Sequence, residues 1–288
     1  MSCLGCFEGA IYDGEPVGSQ ETIHGVRTYV IIGDHSTSGA SKSTIIFITD
    51  AFGFNLVNSK LLADYYAEKT GFRVLVPDLI PGGGVPLYSL ELMESVRKPL
   101  KWWDIRGQFW RFVSLVRMMN VFISFARRTR GVFPVVLAFT RAVKADLPIG
   151  GKLGVAGFCW GGMHSTKLSQ ESVVEGGSIA LIDANFTAHP AGLKAPDDFV
   201  RGVKKFNVPL SIAIGDNDMI LSKDAVANIE AALRQEFGND QQCHFEILVY
   251  ASCGHGFAVR ADPKKTVENE AARKAAEQGI IWFKRFLG

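Results

Sequence analysis

Six residues, Gly157-Phe158-Cys159-Trp160-Gly161-Gly162, limit the fold more than any other stretch of the 288-residue chain. The run before them, 152–158, is short and mostly apolar, as a buried parallel strand is, and the residues after them can begin a helix. At such a strand–turn–helix elbow the central residue has a strained backbone, and flanking glycines let neighbouring backbone pass close by. The pattern therefore predicts an α/β fold with the Cys159 thiol exposed above a strand end.

Strand-like and helix-like runs alternate along the rest of the chain. This alternation predicts a mostly parallel, doubly wound sheet with helices on both faces. No repeat, low-complexity tract or long linker divides the chain, so we expect a single domain over 1–288. The predicted strands are 21–32, 44–49, 72–77, 152–158, 178–183, 209–214 and 243–249, and the predicted helices lie near 55–70, 134–146, 162–170, 222–237 and 266–286.

Partners for a nucleophile follow Cys159 in the order that strand–turn–helix hydrolases use, with an acid first and a histidine second. Asp216 and Asp218 come after the strand-like run 209–214, and His255 comes after 243–249. Asp218 is the preferred acid because it lies further past the strand end and precedes an apolar pair that can anchor the loop. Asp216 remains the alternative, as a turn or capping residue or as the acid itself.

Each residue type has a chemical role. A thiol with a pKa of ~8.5 is mostly protonated at neutral pH, and only the thiolate attacks, so a nearby imidazole must take the proton. His255 can do this, while a carboxylate on the far ring nitrogen fixes the tautomer and stabilises the imidazolium. The alternative for Cys159 is a small buried apolar residue, which is the commonest role of a free cysteine.

Four motifs resemble those of the dienelactone hydrolase family, a branch of the α/β hydrolases whose nucleophile is cysteine. They are Gly-x-Cys-x-Gly-Gly at 157–162, Gly-x-x-Asp at 215–218, His-Gly-Phe at 255–257 and the run from Asp50 to Asn55. The resemblance extends from about residue 20 to the end and is weakest around 90 to 130, and the first nine residues resemble fungal members. It implies a cofactor-independent hydrolase that cleaves a small lactone or activated ester through an acyl-enzyme.

The same resemblance implies further site residues. Backbone N–H groups of Ala51 and Trp160 would form the oxyanion hole. Asp50 stands where the family has a glutamate that interacts with the resting cysteine, although a charge at a helix N-terminus is the alternative. Arg260 is displaced by one position from an arginine that binds the substrate carboxylate, and a surface arginine is the alternative. His189 resembles a histidine-proline pair of eukaryotic relatives and could line the pocket.

Composition and charge exclude several functions. The formal net charge of +2 gives no general case for nucleic-acid binding. No segment looks long enough to span a membrane, and the first residues lack the apolar core of a secretory signal, so we expect a cytoplasmic protein with no membrane partner. Five cysteines, an odd number, fit a reducing compartment. Cys3 and Cys6 have no second pair or histidine cluster, so no metal site is predicted.

Segment 91–131 departs from the strand–helix alternation. Aromatic residues alternate with basic ones, and residues 97–130 contain one acid, Asp104. The segment could be ordinary helices with core aromatics, a cap over the pocket, or an oligomer contact in a homodimer. Two other functions also fit the scaffold. One is a non-hydrolytic lyase or isomerase of aromatic or polyketide metabolism, and the other is a binding protein with an inactive triad.

Overall fold

A computed structural model describes residues 10–33, 42–97, 99–238 and 244–288. The strands are β1 (Ser19–Ile23), β2 (Val26–Ile32), β3 (Thr44–Ile48), β4 (Arg73–Pro77), β5 (Leu153–Phe158), β6 (Ala184–Ala188), β7 (Leu210–Gly215) and β8 (Phe245–Tyr250). The helices are α1 (Val57–Thr70), α2 (Tyr88–Arg97), α3 (Ile105–Thr129), α4 (Phe133–Ala145), α5 (Trp160–Leu168), α6 (Asp197–Lys204), α7 (Lys223–Phe237), α8 (Phe257–Arg260) and α9 (Thr266–Leu287).

These strands form one sheet in the order β1-β2-β4-β3-β5-β6-β7-β8. β2 pairs antiparallel with both β1 and β4, and the other neighbouring strands are parallel. Helices α1 and α9 contact each other on one face, while α4, α5, α6 and α7 follow one another across the other face. The predicted doubly wound α/β-hydrolase sheet is confirmed, and the carboxyl ends of β3, β5, β7 and β8 meet at one edge.

The first predicted strand, 21–32, is two strands joined by a tight turn. His24 and Gly25 both have positive φ, 47° and 77°. A type I′ hairpin turn needs positive φ at both central positions, and its geometry matches the twist of the flanking strands. The prediction of one continuous strand is therefore wrong, and β1 is the antiparallel edge.

The predicted strand at 178–183 is also wrong, because the chain pairs with β5 only from Ala184 onward. Ala180 makes an isolated bridge to Ser172. Asp183 explains the displacement, since its carboxylate accepts hydrogen bonds from the Lys144 ammonium and from the N–H of Leu153 at the start of β5, both at 2.6 Å. The real strand, β6, buries polar residues that an apolar pattern does not predict. Helix α6 was not predicted either.

Segment 91–131 forms the second half of α2 and the whole of α3. Met118 and Phe125 of α3 are buried, but most of its aromatic side chains are exposed. The interpretation of this segment as ordinary helices with core aromatics is therefore wrong. By length and composition α3 could cross a membrane, contrary to the prediction that no segment is long enough to span one. The cap, the oligomer contact and the single domain stay predictions.

Candidate active site

Cys159 lies at the sharp turn between β5 and α5. Its backbone has φ 52° and ψ −110°, in the region that side chains other than glycine rarely adopt. Three hydrogen bonds hold it there: its N–H donates to the Ala188 carbonyl at 3.1 Å, and its carbonyl accepts from Gly162 and Ala191 at 3.0 Å. A strained residue persists only where its surroundings fix it, and such residues cluster at active sites.

The glycine at 161 is required by close packing at this turn. A Cβ on Gly161 would lie 2.1 Å from the carbonyl oxygen of Ile48, at the end of β3. The Gly161 N–H also donates to the Thr49 carbonyl at 3.2 Å. The elbow is therefore in direct contact with the segment that follows β3, where Asp50 and Ala51 lie.

His255 and Asp218 come together from the ends of the neighbouring strands β8 and β7. The Nδ1 atom of His255 lies 2.8 Å from Oδ2 of Asp218, and both side chains are fully buried. The other Asp218 oxygen accepts N–H groups of Ile220 at 2.8 Å and Leu221 at 3.1 Å. These bonds fix the carboxylate, which in turn holds the Nδ1–H tautomer and leaves Nε2 for another partner.

The alternative acid, Asp216, is placed elsewhere. One of its oxygens accepts the Cys253 N–H at 3.3 Å, and the other lies 3.4 Å from the Lys223 ammonium. Asp216 therefore stabilises the loop between β7 and α7 and the loop after β8. Of the two candidates, Asp218 is the one that the fold brings to His255.

The second nitrogen of His255 interacts with the sulfur of Cys159. Nε2 is buried and has no nitrogen or oxygen partner among the described residues. Burial lowers the pKa of His255, but the Cys159 charge and hydrogen bonds to Asp218 and Cys159 raise it by more, from 6.5 to about 10. A histidine that stays protonated at neutral pH beside a sulfur favours a thiolate–imidazolium pair.

The N–H groups of Ala51 and Trp160 come from two elements that meet at the elbow, where the Gly161 N–H bonds to the Thr49 carbonyl. Trp160 is the first residue of α5, and Ala51 follows β3, where its carbonyl accepts the Val85 N–H at 2.7 Å. Within the described ranges neither N–H donates a backbone hydrogen bond. Unpaired N–H groups at a helix N-terminus and at a nearby turn can bind a developing negative charge.

Asp50 and Arg260 form a buried ion pair with each other. The guanidinium donates to Oδ2 of Asp50, and neither side chain is accessible to solvent. The other Asp50 oxygen accepts the Phe52 N–H at 3.0 Å, and the guanidinium lies over the Phe52 ring at 4.7 Å. The alternative of a surface arginine is wrong. The sequence suggested separate roles for these two residues, and it gave no sign of their pairing.

Gly256 makes room for this ion pair. It has φ 94°, and a Cβ there would lie 2.1 Å from an Arg260 guanidinium nitrogen. The glycine of the His-Gly-Phe motif therefore serves two purposes, since it adopts a left-handed conformation and lets the guanidinium pass. Gly256 is therefore a sequence signal that the arginine near it is buried, but the glycine does not indicate that Asp50 is the partner of that arginine.

His189 packs against the catalytic candidate His255. The two rings are 5.0 Å apart between centroids and nearly perpendicular. His189 is fully buried, and its two ring nitrogens have no hydrogen-bond partner in the described parts of the chain. Burial, with a smaller contribution from His255, places the pKa of His189 well below its ordinary value. It is therefore a neutral ring behind His255.

His164 packs against the elbow residue Trp160. Its ring centroid is 4.2 Å from that of Trp160, and it stacks on Phe133 at 6.0 Å. Burial, and then the charge of Lys167, lower its pKa to about 3. It is a neutral packing residue.

Helix α3 contacts the elbow residue Trp160 through its inner face. The Phe125 ring lies 6.3 Å from the Trp160 ring, edge to face. The Arg128 guanidinium donates to the carbonyl of Gly83 at 2.9 Å and to that of Pro81 in the loop after β4. Cys159 itself is only 3% exposed, so the expectation that its thiol is exposed above the strand end is wrong.

Cys253 is the second cysteine that the structure describes, since Cys3, Cys6 and Cys243 lie outside the described residues. It is buried, its thiol donates to the Ala251 carbonyl at 3.4 Å, and burial, Glu268 and Asp216 raise its pKa to about 11. Cys253 is therefore a neutral thiol, unlike a cysteine paired with an imidazolium. No group of three or more His, Cys, Asp or Glu side chains able to hold a metal occurs within the described ranges.

Comparisons with known proteins identify the family and the fold. Residues 26–287 match the model of the dienelactone hydrolase family. The chain is 27% identical to Hydrolase pyvD of Aspergillus violaceofuscus, over 98% of this chain and 96% of that protein. It is 26% identical to Dienlactone hydrolase 1 of Gibberella moniliformis, over 99% and 94%. The solved structure of a dienelactone hydrolase-like promiscuous phosphotriesterase from metagenomic libraries has a TM-score of 0.55 at 17% identity, over 91% of this chain and 93% of that one, and shows the same fold.

Proposed function

This chain belongs to the dienelactone hydrolase family and is a hydrolase of the lactone or ester type, and from that premise we propose that it acts through a covalent intermediate on Cys159. The substrate is a small lactone or activated ester. The observation that carries the proposal is the buried His255, bonded to Asp218 at 2.8 Å through one nitrogen and facing the Cys159 sulfur with the other.

In the first half of the reaction the thiolate of Cys159 attacks the carbonyl carbon. The carbonyl oxygen gains negative charge, which the N–H groups of Ala51 and Trp160 stabilise by hydrogen bonds. The tetrahedral intermediate then breaks the bond between carbon and the leaving oxygen, and the His255 imidazolium gives that oxygen its proton. A lactone ring opens in this step, and the acyl group remains on sulfur as a thioester.

In the second half, neutral His255 takes a proton from water as the water oxygen attacks the thioester. Collapse of this intermediate releases the carboxylic acid product and restores the thiolate beside the imidazolium. Asp218 keeps its negative charge throughout, holding the ring orientation and stabilising the imidazolium. Protein groups and water suffice for both steps, which is why we propose no cofactor.

Asp50 and Arg260 support this chemistry through the backbone. Their ion pair and the Asp50–Phe52 hydrogen bond fix residues 50–52, which carry the Ala51 donor. A guanidinium already bonded to Asp50 is poorly placed to bind a substrate carboxylate as well. We therefore propose that Asp50 and Arg260 position the oxyanion donor, and that His189 holds the His255 ring in place, instead of binding substrate directly.

A trapping experiment tests the nucleophile. The enzyme is mixed with an activated aryl ester, quenched in acid and digested, and the peptides are examined by mass spectrometry. We expect an acyl group on the Cys159 peptide, absent in Cys159→Ala and retained in the matched variant Cys253→Ala. Acylation at another residue, or unchanged turnover in Cys159→Ala, would contradict the proposal.

Labelled water tests whether turnover is hydrolytic. In oxygen-18 water the carboxylate product of hydrolysis must contain one labelled oxygen. A lyase or isomerase on the same scaffold would form product without label, and an inactive binding protein would form none. The absence of nucleic-acid binding, the homodimer and the cytoplasmic location stay predictions.

A further inference from the structure

The outer face of α3 carries an apolar stripe, defined here as Ile105, Phe109, Phe112, Val116, Met119 and Ile123. The spacings alternate between four and three residues, which places all six on one side of a helix. Their side chains are 41–81% exposed. With a rise of about 1.5 Å per residue, the stripe is about 27 Å long. Single exposed apolar residues are ordinary, but a continuous stripe of this length marks a contact surface.

Tryptophans extend the stripe at and near its N-terminal end. Trp102 is 83% exposed, and Trp103 and Trp110 are both more than half exposed. Trp102 and Trp103 contact each other edge to face at 5.5 Å. An indole has an apolar body and a polar N–H, which suits it to the boundary between lipid and water.

The same helix is positively charged at its solvent side. Asp104 is the one acid in residues 97–130, and its carboxylate accepts the Gly107 N–H at 2.8 Å at the start of α3. The basic side chains exposed on and beside α3 are Lys101, Arg106, Arg117, Arg127 and Arg130. Apolar residues bordered by arginine, lysine and tryptophan are typical of a helix that lies in the surface of an anionic membrane.

The opposite face of α3 is fixed to the enzyme. Met118 and Phe125 are buried, Phe125 contacts Trp160, and Arg128 bonds to the loop at 81–83. A helix attached on this side could cross a bilayer only by leaving the protein. It can lie on a bilayer with its outer face without breaking any of these contacts.

We propose that the outer face of α3 binds the surface of an anionic phospholipid bilayer. The apolar stripe enters the boundary between headgroups and acyl chains, and the exposed cations contact the lipid phosphates and carboxylates. Charge favours this occupant over a second copy of the chain. Two α3 helices packed along their stripes would bring arginines against arginines with one acid per copy to offset them. The prediction of no membrane partner is replaced by this proposal.

Vesicle flotation tests it with the full-length protein. We expect binding to vesicles of phosphatidylcholine with roughly one third phosphatidylserine, weak binding to pure phosphatidylcholine, and a fall of roughly tenfold or more at high salt. Tryptophan emission should shift to shorter wavelength on binding. Neither readout depends on the hydrolytic reaction, so a failure of the membrane proposal is distinguishable from a failure of the proposed function.

Two variants separate the apolar and electrostatic contributions. Phe112→Ser with Met119→Ser, and separately Arg106→Gln with Arg117→Gln, should each weaken binding by roughly tenfold or more. Ile281→Ser is the matched control, because Ile281 is an exposed apolar residue on α9. This variant should bind anionic vesicles as well as the unsubstituted protein does. Circular dichroism checks that every variant is folded, and the arginine variant keeps the test valid if the stripe variant unfolds.

Three results would overturn the proposal. The first is no binding to anionic vesicles, and the second is equal, salt-independent binding to neutral and anionic vesicles. The third is a dimer in analytical ultracentrifugation that the stripe variant converts to monomer, with no lipid binding by either form. That last result would assign the face to a second copy of the chain.

Discussion

The catalytic edge of the sheet and the outer face of α3 depart from ordinary protein structure in opposite directions. At the edge, charged side chains of Asp50, Arg260, Asp218 and His255 have no solvent exposure. On α3, aromatic and aliphatic side chains face water. Most proteins do the reverse, because buried charges and exposed apolar surface both cost free energy. Each departure therefore indicates a function that ordinary packing does not explain.

The two regions differ in what offsets these free-energy costs. Inside, every one of these charges has a partner within the chain, so the site is complete as the protein folds. Outside, the described residues leave the apolar stripe uncovered, and we propose that a bilayer covers it. Substitutions inside should therefore change catalysis and stability, and substitutions outside should change binding alone.

The largest effect is expected at His255. His255→Ala should lower kcat/KM by about 10⁴-fold or more, because the general acid and base is lost. His189→Ala is the matched control, since it removes a second buried imidazole whose ring centre is 5.0 Å away, and it should cost less than about tenfold. Steady-state kinetics on one activated ester compares the two. Equal losses would mean that the pair of rings, and not His255, carries the proton.

A smaller loss is expected for Asp218→Asn, by roughly 10³ to 10⁴-fold in kcat, because the tautomer and the imidazolium lose their support. Asp218 also helps to raise the pKa of His255 to about 10. The protonated ring is present below this pKa and is lost as the pH rises through it, so activity should fall on the alkaline side near pH 10. In Asp218→Asn that fall should move to lower pH, as a pH–rate profile can show.

Asp216→Asn serves as the control for this shift. Its carboxylate bonds to the Cys253 N–H and Lys223, so the alkaline limb should stay in place. A shift of the alkaline limb in Asp216→Asn but none in Asp218→Asn would mean that Asp216, and not Asp218, supports the His255 imidazolium.

Removing the charge of Arg260 should destabilise the fold by about 3–5 kcal/mol, because Asp50 is left as a buried charge without its counter-ion. Urea denaturation of Arg260→Met measures the free energy of unfolding. In the double variant Asp50→Leu, Arg260→Met the loss should be smaller, since no unpaired charge remains. Arg273→Met removes an exposed pair with Glu277 and should change stability by less than about 1 kcal/mol. Equal losses of unfolding free energy in Arg260→Met and Arg273→Met would contradict a stabilising role for the buried ion pair.

The smallest effect is expected on the outer face of α3. Phe112→Ala should change the free energy of unfolding by within about 0.5 kcal/mol, because the ring is already in water. Phe125→Ala, on the inner face of the same helix, should lose about 3 kcal/mol or more, because it leaves a cavity beside Trp160. The same denaturation experiment compares them. A large loss in Phe112→Ala would show that the outer face is packed.

Prediction from the sequence succeeded where a structural feature depends on residues that are close together in the chain. The glycines around Cys159, the order of Cys159, Asp218 and His255, and most strands and helices could be predicted, because turns and buried strands depend on residues near in the chain. It failed at 178–183, where an apolar run looked like a strand and Asp183 instead fixed where pairing begins. It also left three interpretations open for 91–131, and the one with core aromatics is wrong because most aromatic side chains of α3 are exposed.

The sequence by itself determined the fold class, the strained elbow and the family, since all three depend on glycine, apolar periodicity and motif order. Only the tertiary structure decided that Asp218 and not Asp216 reaches His255, that Asp50 pairs with Arg260 across 210 positions of chain, and which side of α3 faces water. The physical reason is that partners of buried charges, and the direction of a helix face, are set by how the sheet and helices pack. That packing brings together residues which are remote in the chain.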